Sequence, residues 1–216
     1  MPQHRVVLID PHEIVRQGLR YLFTTKEYES LNLYVVGESA ADVDMILLYE
    51  TRKPDIVITE ALFPGLSGLE NIDQLKQAFP EVKVFVYTGI DNPTFLARAA
   101  VIGVDEYLEK SASMTVFHES ITNLCNNHPR SASHRLNQVQ LLMRMKRVPQ
   151  EREIPLTGRE MEVLRHIAFG MSNKEIACSL GLSVETIKEH VQNILRKMGL
   201  KDRTQAAVWA VRKKLI

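Results

Sequence analysis

The segment DIVITEALFPGLSGLE, residues 55–70, contains the pattern that decides the fold of the N-terminal part. Three apolar residues, Ile56–Ile58, lead within two positions to Glu60, and a Pro64-Gly65 turn then precedes a helical pattern that begins at Leu69. A short β-branched run of this kind is typical of a buried strand. An acidic side chain at the exit of a buried strand is costly unless something uses or neutralises its charge. Glu60 is therefore a candidate functional residue.

The same alternation of strand and helix extends over the first 125 residues. Apolar runs predict five strands, and the segments between them have the spacing of amphipathic helices. The predicted strands are Val6–Ile9, Tyr34–Gly37, Ile56–Thr59, Val82–Tyr87 and Glu106–Leu108, and the predicted helices are Glu13–Phe23, Ala40–Thr51, Leu69–Phe79, Asn92–Ile102 and Met114–Asn126. Five βα units of this length favour an α/β fold with a doubly wound, five-stranded parallel sheet of the flavodoxin-like type.

Three polar residues lie at or just past predicted strand ends, namely Asp10, Glu60 and Thr88. In a doubly wound sheet the functional site lies beyond the carboxyl ends of the strands, so these side chains are expected around one crevice. Acids in such a crevice are also compatible with a hydrolytic enzyme. Because no nucleophile is paired with an oriented base in the sequence, we do not expect an enzyme.

The charge is distributed unevenly between the two halves of the chain. Residues 1–128 contain 10 Lys and Arg against 18 Asp and Glu, a net charge of −8, whereas residues 129–216 contain 17 against 8, a net charge of +9. Such an asymmetry indicates separate domains and a polyanionic partner for the basic one.

Composition also limits the location of the protein. No stretch approaches the roughly 18 apolar residues that a membrane helix needs, and the N-terminus enters the strand-like RVVLID without an export segment. Cys125 and Cys178 have no metal-ligand or disulfide spacing around them. We therefore expect a cytoplasmic protein that has no membrane association and binds neither a metal ion nor a cofactor.

The C-terminal part has the signals of a helix-turn-helix. A polar linker over residues 127–154 carries a short amphipathic helix with Leu136, Val139, Leu142 and Met143. From residue 155, two capping boxes, at Thr157–Glu160 and Ser172–Glu175, predict helix starts. A turn at Gly181–Ser183 then joins the helix Asn173–Leu180 to a third helix, and a last helix spans Thr204–Lys214. An all-α domain over residues 155–216 follows.

The third helix separates into an apolar face and a polar face. The predicted buried seam consists of Val184, Ile187, Val191, Ile194, Leu195 and Met198. The polar stripe consists of Glu185, Lys188, Glu189, Gln192 and Arg196, flanked by Thr186, His190, Asn193 and Lys197. In a basic helix-turn-helix domain, such a stripe is typical of a recognition helix that neutralises phosphates and contacts base edges.

The segment LTGREMEVLRHIAFGMSNKEIACSLGLSVETIKEHVQNILRKMGLKDRTQAAVWAV, residues 156–211, closely resembles the LuxR-type helix-turn-helix of NarL/FixJ response regulators. Residues 5–126 resemble the receiver domain of the same family. The resemblance implies a sequence-specific transcription regulator that binds double-stranded DNA as a homodimer. It places Lys188, Glu189 and Gln192 in the major groove. Further DNA-binding candidates are Ser183, Thr186 and Asn193, and Arg196, Lys197, Lys201 and Arg203 are expected to hold phosphates. The last helix is apolar on more than one face, which either a subunit contact or core packing explains, and Val208 and Trp209 are candidates for the dimer contact.

The receiver resemblance has two departures. Receivers of the family take a phosphoryl group on an aspartate, assisted by a divalent metal ion held by an acidic pair. The matching loop here reads Asp10-Pro11-His12 in place of the usual Asp-Asp-His, and Glu60 stands at the acceptor position. The remaining matched positions are Thr88 for the hydroxyl, Tyr107 for the switch aromatic and Lys110 for the lysine.

These departures predict a degenerate receiver that is independent of phosphorylation. Pro11 offers no side-chain ligand to a metal ion, and the extra methylene of Glu60 mispositions its carboxylate for in-line attack. Lys110 is the expected counter-ion of Glu60. Two interpretations of Glu60 remain open, imitation of the phosphoryl charge and a structural ion pair.

Alternatives remain for the function as well. One is a receiver phosphorylated at a non-standard site, and another is a protein that sequesters a partner and binds DNA only incidentally. Either a protein or a small molecule can provide, at the receiver domain, the signal that replaces phosphorylation.

Overall fold

The computed structural model describes residues 3–40, 45–63, 66–90, 92–127, 134–144, 156–213 and 215. The chain forms two compact units. The first comprises Met1–Asp91 and Ile102–Asn137, and the second comprises Asn92–Val101 and Gln138–Ile216. Each unit has its own core and is described separately.

The first unit is built on a parallel sheet of five strands in the order β2-β1-β3-β6-β7. The strands are β1 (His4–Ile9), β2 (Leu33–Ser39), β3 (Ile56–Thr59), β6 (Lys83–Thr88) and β7 (Glu106–Glu109). The central strand β3 pairs with both neighbours, with Ile56 opposite Val6 and opposite Lys83. Every residue of β3 is buried, as expected for a strand covered on both faces. The five predicted strands are confirmed within one or two residues at each end.

The helices of the first unit are α1 (Glu13–Leu22), α2 (Lys26–Glu29), α3 (Met45–Arg52), α4 (Leu69–Ala78) and α6 (Met114–Cys125). Ser113 is the N-cap of α6, and its hydroxyl accepts a hydrogen bond from the Val116 amide. Phe117 and Ile121 of α6 pack in one core with Leu8 and Phe85 of the sheet. The one-turn helix α2 was not predicted, because four residues are too few to show a helical period.

A small hairpin lies between β3 and α4, formed by β4 (Leu62–Phe63) and β5 (Leu66–Ser67). The sequence predicted only a turn here, and its Pro64 and Gly65 lie outside the described residues. The start of the predicted helix Ala40–Thr51 lies partly outside them too, so α3 is described from Met45.

The second unit contains α5 (Pro93–Ile102) up to Val101, with α8 (Gly158–Ala168), α9 (Asn173–Leu180), α10 (Val184–Met198) and α11 (Arg203–Arg212). Both predicted capping boxes are present, and Ser183 caps α10 by accepting from the Thr186 amide at 3.0 Å. Gly181 and Gly199 end α9 and α10 with φ of 64° and 65°, a left-handed conformation in which glycine is favoured.

The predicted seam of α10 is buried at its centre and looser at its ends. Ile187, Ile194 and Met198 are buried. Val184 was expected in this seam but is exposed, because the first residue of a helix lies at the margin of the packed face.

The boundary between the units falls within α7 (His134–Arg144), where Leu136 and Val139 are buried as the amphipathic pattern predicted. The side chains of Leu142 and Met143, and much of the 127–154 linker with Pro155, lie outside the described residues. Within the part of the chain that is described, no helix has the length and apolar character needed to cross a membrane.

Candidate functional site: an acidic crevice and a nucleic-acid interface

The side chains that were predicted around one crevice lie at the carboxyl ends of four neighbouring strands. Asp10 follows β1, Glu60 follows β3, Thr88 ends β6, and Lys110 follows β7. Asp10 and Glu60 are 5% and 4% exposed, so these two carboxylates are almost fully removed from water. Their charges must be compensated inside the protein.

The Glu60 carboxylate is held by three donors from different parts of the chain. Oε1 accepts a hydrogen bond from the Ala61 amide at 2.7 Å, and Oε2 accepts one from the Gly89 amide at 3.1 Å. The Lys110 ammonium donates to Oε2 at 2.8 Å. Charge-assisted hydrogen bonds of this kind are stronger than neutral ones, so both oxygens of Glu60 are stabilised as an anion.

Lys110 links the two carboxylates of the crevice. Its Nζ lies 2.5 Å from Asp10 Oδ2 and 2.8 Å from Glu60 Oε2. Burial alone would lower the pKa of Lys110, but hydrogen bonds and charge attraction from Asp10 and Glu60 outweigh it and hold the pKa above its ordinary value. The predicted counter-ion is therefore in place, and the crevice carries one cation between two anions.

Oxygens of the two carboxylates, Asp10 and Glu60, already have partners within the protein. The side chain of Pro11 offers no ligand atom to a metal ion, and Asp10 Oδ1 accepts a hydrogen bond from the His12 amide at 2.8 Å. Asp10 Oδ2 and Glu60 Oε2 are both bound by Lys110. Mg²⁺ needs near-octahedral oxygen coordination at about 2.0–2.1 Å. No three His, Cys, Asp or Glu side chains in the described ranges are grouped as a metal site would require.

Thr88 and Tyr107 meet at the backbone of Ile90. Thr88 is fully buried, and its Oγ1 accepts a hydrogen bond from the Ile90 amide at 3.2 Å. Tyr107 is buried, with its hydroxyl 3.5 Å from the Ile90 carbonyl oxygen. Because Gly89 binds Glu60, the β6–α5 loop is joined to the acidic crevice through its backbone.

The polar stripe of α10 is exposed to solvent as predicted. Lys188, Glu189, Gln192 and Arg196 are exposed, whereas Thr186, His190 and Asn193 are half-buried. Lys188 forms an ion pair with Glu185 at 3.1 Å, and Arg196 donates to Asn193 Oδ1 at 2.9 Å. The Ser183 and Thr186 hydroxyls lie 2.9 Å apart at the start of the helix.

Lys197, which was predicted to hold a phosphate, forms an ion pair within the second unit. Its Nζ lies 2.7 Å from Oε2 of Glu160, which is 4% exposed and also accepts from the Thr157 amide at 2.8 Å. The Lys197 hydrogen bond is the main cause that lowers the pKa of Glu160, and the Thr157 bonds add to it against the effect of burial. Lys197 therefore joins α10 to α8. The capping-box pattern identified Glu160, but not its distant partner.

Arg203, which was also predicted to hold a phosphate, makes hydrogen bonds within the second unit. Its guanidinium donates to Asn173 Oδ1 at 2.8 Å and to the Met171 carbonyl, both at the start of α9. Burial lowers the pKa of Arg203, and the nearby Glu175 partly offsets this.

Val208 and Trp209 do not form a free surface for a dimer contact. They are 2% and 9% exposed. Helix α11 is apolar on more than one face because it packs against α8 and α10, and this core packing explains the pattern that suggested a subunit contact. The predicted dimer contact through these two side chains is not supported.

These features define a class of protein, a receiver-type α/β domain joined to a helix-turn-helix domain. Residues 6–122 match the response regulator receiver domain, and residues 154–210 match the luxR family of bacterial regulatory proteins. The chain is 35% identical over 215 residues to response regulator protein VraR of Staphylococcus saprophyticus, with 98% of each chain covered. VraR of Staphylococcus aureus strain NCTC 8325 is 35% identical over 213 residues, again with 98% of each covered.

A solved structure with a similar fold agrees with the two-domain architecture. The fold is similar to that of the two-component response regulator RcsB in its complex with DNA, with a TM-score of 0.62, 22% identity, and coverage of 97% of this chain and 98% of RcsB. The chain belongs to the response-regulator family, and with its LuxR-type domain it is a DNA-binding transcription regulator. The predicted family and fold class are confirmed.

Proposed function

We propose that this response regulator binds specific double-stranded DNA sequences as a homodimer and that its receiver domain, residues 1–126, works without phosphoryl transfer to residue 60. The observation that carries the second part is the engagement of Glu60 by Ala61, Gly89 and Lys110. A carboxylate whose two oxygens are held by three donors is poorly placed to act as a nucleophile.

The metal requirement supports the same conclusion. Phosphoryl transfer depends on positioning and on neutralisation of charge by a divalent cation. Pro11 removes one side-chain ligand, and Lys110 already binds one oxygen of Asp10 and one of Glu60. The residues present therefore do not fit the Mg²⁺ ion that the resemblance implies.

Sequence readout is assigned to the exposed stripe of α10. Lys188 donates to guanine, Glu189 accepts from the cytosine amino group, and Gln192 pairs with adenine. Ser183, Thr186, Asn193 and Arg196 support these contacts from the same helix. Lys201, in the segment before α11, holds a phosphate.

Dimerisation is proposed for the DNA-bound state. A single helix-turn-helix buries modest surface for an affinity that must compete with a genome. Among the similar structures, RcsB forms two dimers bound to two parallel DNAs. By analogy, the DNA-binding domain of this chain, proposed at residues 155–216, acts in pairs in the cytoplasm. A protein or a small molecule supplies the signal at the receiver.

Two measurements test the proposal on the full chain. Incubation with a small phosphodonor and Mg²⁺ should leave the intact mass unchanged, because Glu60 accepts no phosphoryl group. Selection from random duplex DNA should enrich one sequence whose binding survives competitor DNA. An acid-labile mass increase of one phosphoryl group would restore phosphorylation as the signal, and an unselective pool would remove the assignment of sequence-specific regulation.

A further inference from the structure

Arg203 joins two segments of the helix-turn-helix domain that are distant in sequence. It is the first residue of α11, and its guanidinium reaches Asn173 and the Met171 carbonyl at the start of α9. A planar guanidinium with donors in a fixed fork suits two acceptors at once, which a lysine ammonium does not reproduce. The contact therefore sets where the loop before α11 lies relative to the start of α9.

The loop between α10 and α11 has a defined backbone. The Lys201 amide donates to Gln205 Oε1 at 3.1 Å, and the Gln205 amide donates to Asp202 Oδ1 at 2.9 Å. These bonds cap the start of α11 and orient the Lys201 backbone relative to Arg203. Arg203 in turn holds this capped segment against Asn173.

Two lysines flank the contact and retain free charges. Lys174 directly follows Asn173, and Lys201 lies two residues before Arg203. Both are exposed, and neither has an ion-pair partner among the residues that the structure describes. Lys188 and Lys197, in contrast, are paired with Glu185 and Glu160.

We propose that Arg203 is a positioning residue for DNA binding and that Lys174 and Lys201 are the phosphate contacts that it aligns. This inference rests on the proposed DNA-binding function. Asn173 is the second positioning residue, because its side-chain oxygen is the acceptor that keeps Arg203 in place. In this proposal Lys174 is an additional DNA contact. Arg203 does not bind a phosphate itself but positions the two lysines that do.

The test is the salt dependence of binding by the full chain to its selected duplex. Each phosphate contact contributes about 0.9 to the slope of log K against log salt concentration. Lys174→Gln and Lys201→Gln should each lower this slope by about one contact. Asn173→Ala removes no charge, yet it should lower the slope by one to two contacts, because the two lysines lose their alignment.

Lys213→Gln is the matched control. It removes one exposed charge from the same domain, about 15 Å along α11 from Arg203 at 1.5 Å per residue, and should leave the slope nearly unchanged. Thermal unfolding of each variant, followed by circular dichroism, reports separately on stability. A lower melting temperature for Asn173→Ala with an unchanged slope would show a purely structural contact and overturn the proposal.

A double-mutant comparison excludes a direct phosphate contact by Arg203. If Arg203 aligns Lys201, Arg203→Gln with Lys201→Gln should have the same slope as Arg203→Gln alone. Additive losses would mean that both side chains bind phosphate, and the proposal would be wrong. Arg203→Lys provides the same test at constant charge if Asn173→Ala does not fold. If the wild-type chain showed no preference for any DNA sequence, the proposed function itself would be contradicted.

Discussion

One methylene group separates Glu60 from the aspartate that the family resemblance places at this position. The longer side chain lets one carboxylate reach the Ala61 amide beside it and the Gly89 amide at the end of the next strand. Both oxygens are therefore used, and the β6–α5 loop is held by the same group that neutralises Lys110. These contacts agree with both interpretations of Glu60, imitation of the phosphoryl charge and a structural ion pair.

Replacing Glu60 by Gln separates the two interpretations because it removes the charge and nearly preserves the volume. If Glu60 imitates the phosphoryl charge, DNA affinity and dimerisation should fall together by about 5- to 150-fold, the usual range for coupling between two sites. Binding titration and sedimentation of the full chain measure the two quantities. Glu119→Gln, an exposed acid on α6, serves as the control. Lower stability with unchanged DNA affinity per folded molecule would make Glu60 a structural ion pair only.

Lys197 gives a second prediction at the level of a single residue. Lys197→Met leaves the buried Glu160 without its cationic partner and should lower the free energy of unfolding by about 1.5–3 kcal/mol, the value of a hydrogen bond to a charged group. Urea unfolding at pH 7 measures it. Arg196→Met, at the exposed neighbouring position, should change stability by less than about 0.5 kcal/mol. If Lys197→Met lowered DNA affinity without lowering stability, Lys197 would instead be a phosphate contact.

The same ion pair makes this stability difference depend on pH. The pKa of Glu160 is lowered in the folded protein from its ordinary value of 4.5. A carboxyl group with a depressed folded pKa contributes stability above its unfolded pKa and loses it as the pH falls through the folded pKa. The difference between wild type and Lys197→Met should therefore be constant from pH 7 to about pH 5 and shrink below pH 4.5.

At the scale of elements, local patterns predicted the helices of the second unit closely. The helix ends depend on local signals, namely the capping boxes at Thr157 and Ser172 and the glycines that end α9 and α10. These signals involve residues only a few positions apart, so they can be recognised in the sequence directly. The partners of Lys197 and Arg203 lie 37 and 30 residues away. Such contacts depend on how α8, α9, α10 and α11 pack, and a pattern on one helix contains no information about them.

The same distinction applies to the receiver-like unit. The strand ends placed Asp10, Glu60 and Thr88 in one crevice because parallel strands end at the same edge of a sheet. The amides of Ala61 and Gly89 were not predicted as ligands of Glu60, since every residue has an amide and only the backbone path decides which one faces the site. Prediction therefore succeeded for the positions of side chains along strands and missed the role of the backbone.

Helix α10 carries a prediction about the division between base and phosphate contacts. Lys188→Gln should change the preferred base at one position of the operator, with a loss of about 1–3 kcal/mol of discrimination. Lys201→Gln should weaken binding to all sequences about equally, because phosphate contacts carry no base information. Repeating the selection from random duplexes with each variant measures both effects. Equal and sequence-independent losses from the two variants would contradict the assignment of Lys188 to base readout.

At the scale of the whole molecule, the two parts of the chain have opposite net charges, which indicates that only one of them attracts DNA. The first 128 residues carry a net charge of −8 and the remainder +9, so the electrostatic attraction to DNA comes from the C-terminal part. Because Val208 and Trp209 are buried, the pairing of two chains on DNA must use other surfaces. The dimer can still be tested through the spacing of the half-sites in its operator.

The spacing of half-sites tests this dimer without assuming an interface. Two helix-turn-helix units of a symmetric dimer bind half-sites separated by a whole number of turns of about 10–10.5 base pairs. Inserting 5 base pairs between the half-sites of the selected operator should therefore lower affinity at least about tenfold, because one recognition helix then faces the wrong side of the duplex. Inserting 10 base pairs restores the facing and serves as the control for added length, with partial recovery of affinity. Titration monitored by sedimentation should give two chains per operator in the unaltered duplex. Affinity that is indifferent to both insertions would mean that the chains bind independently.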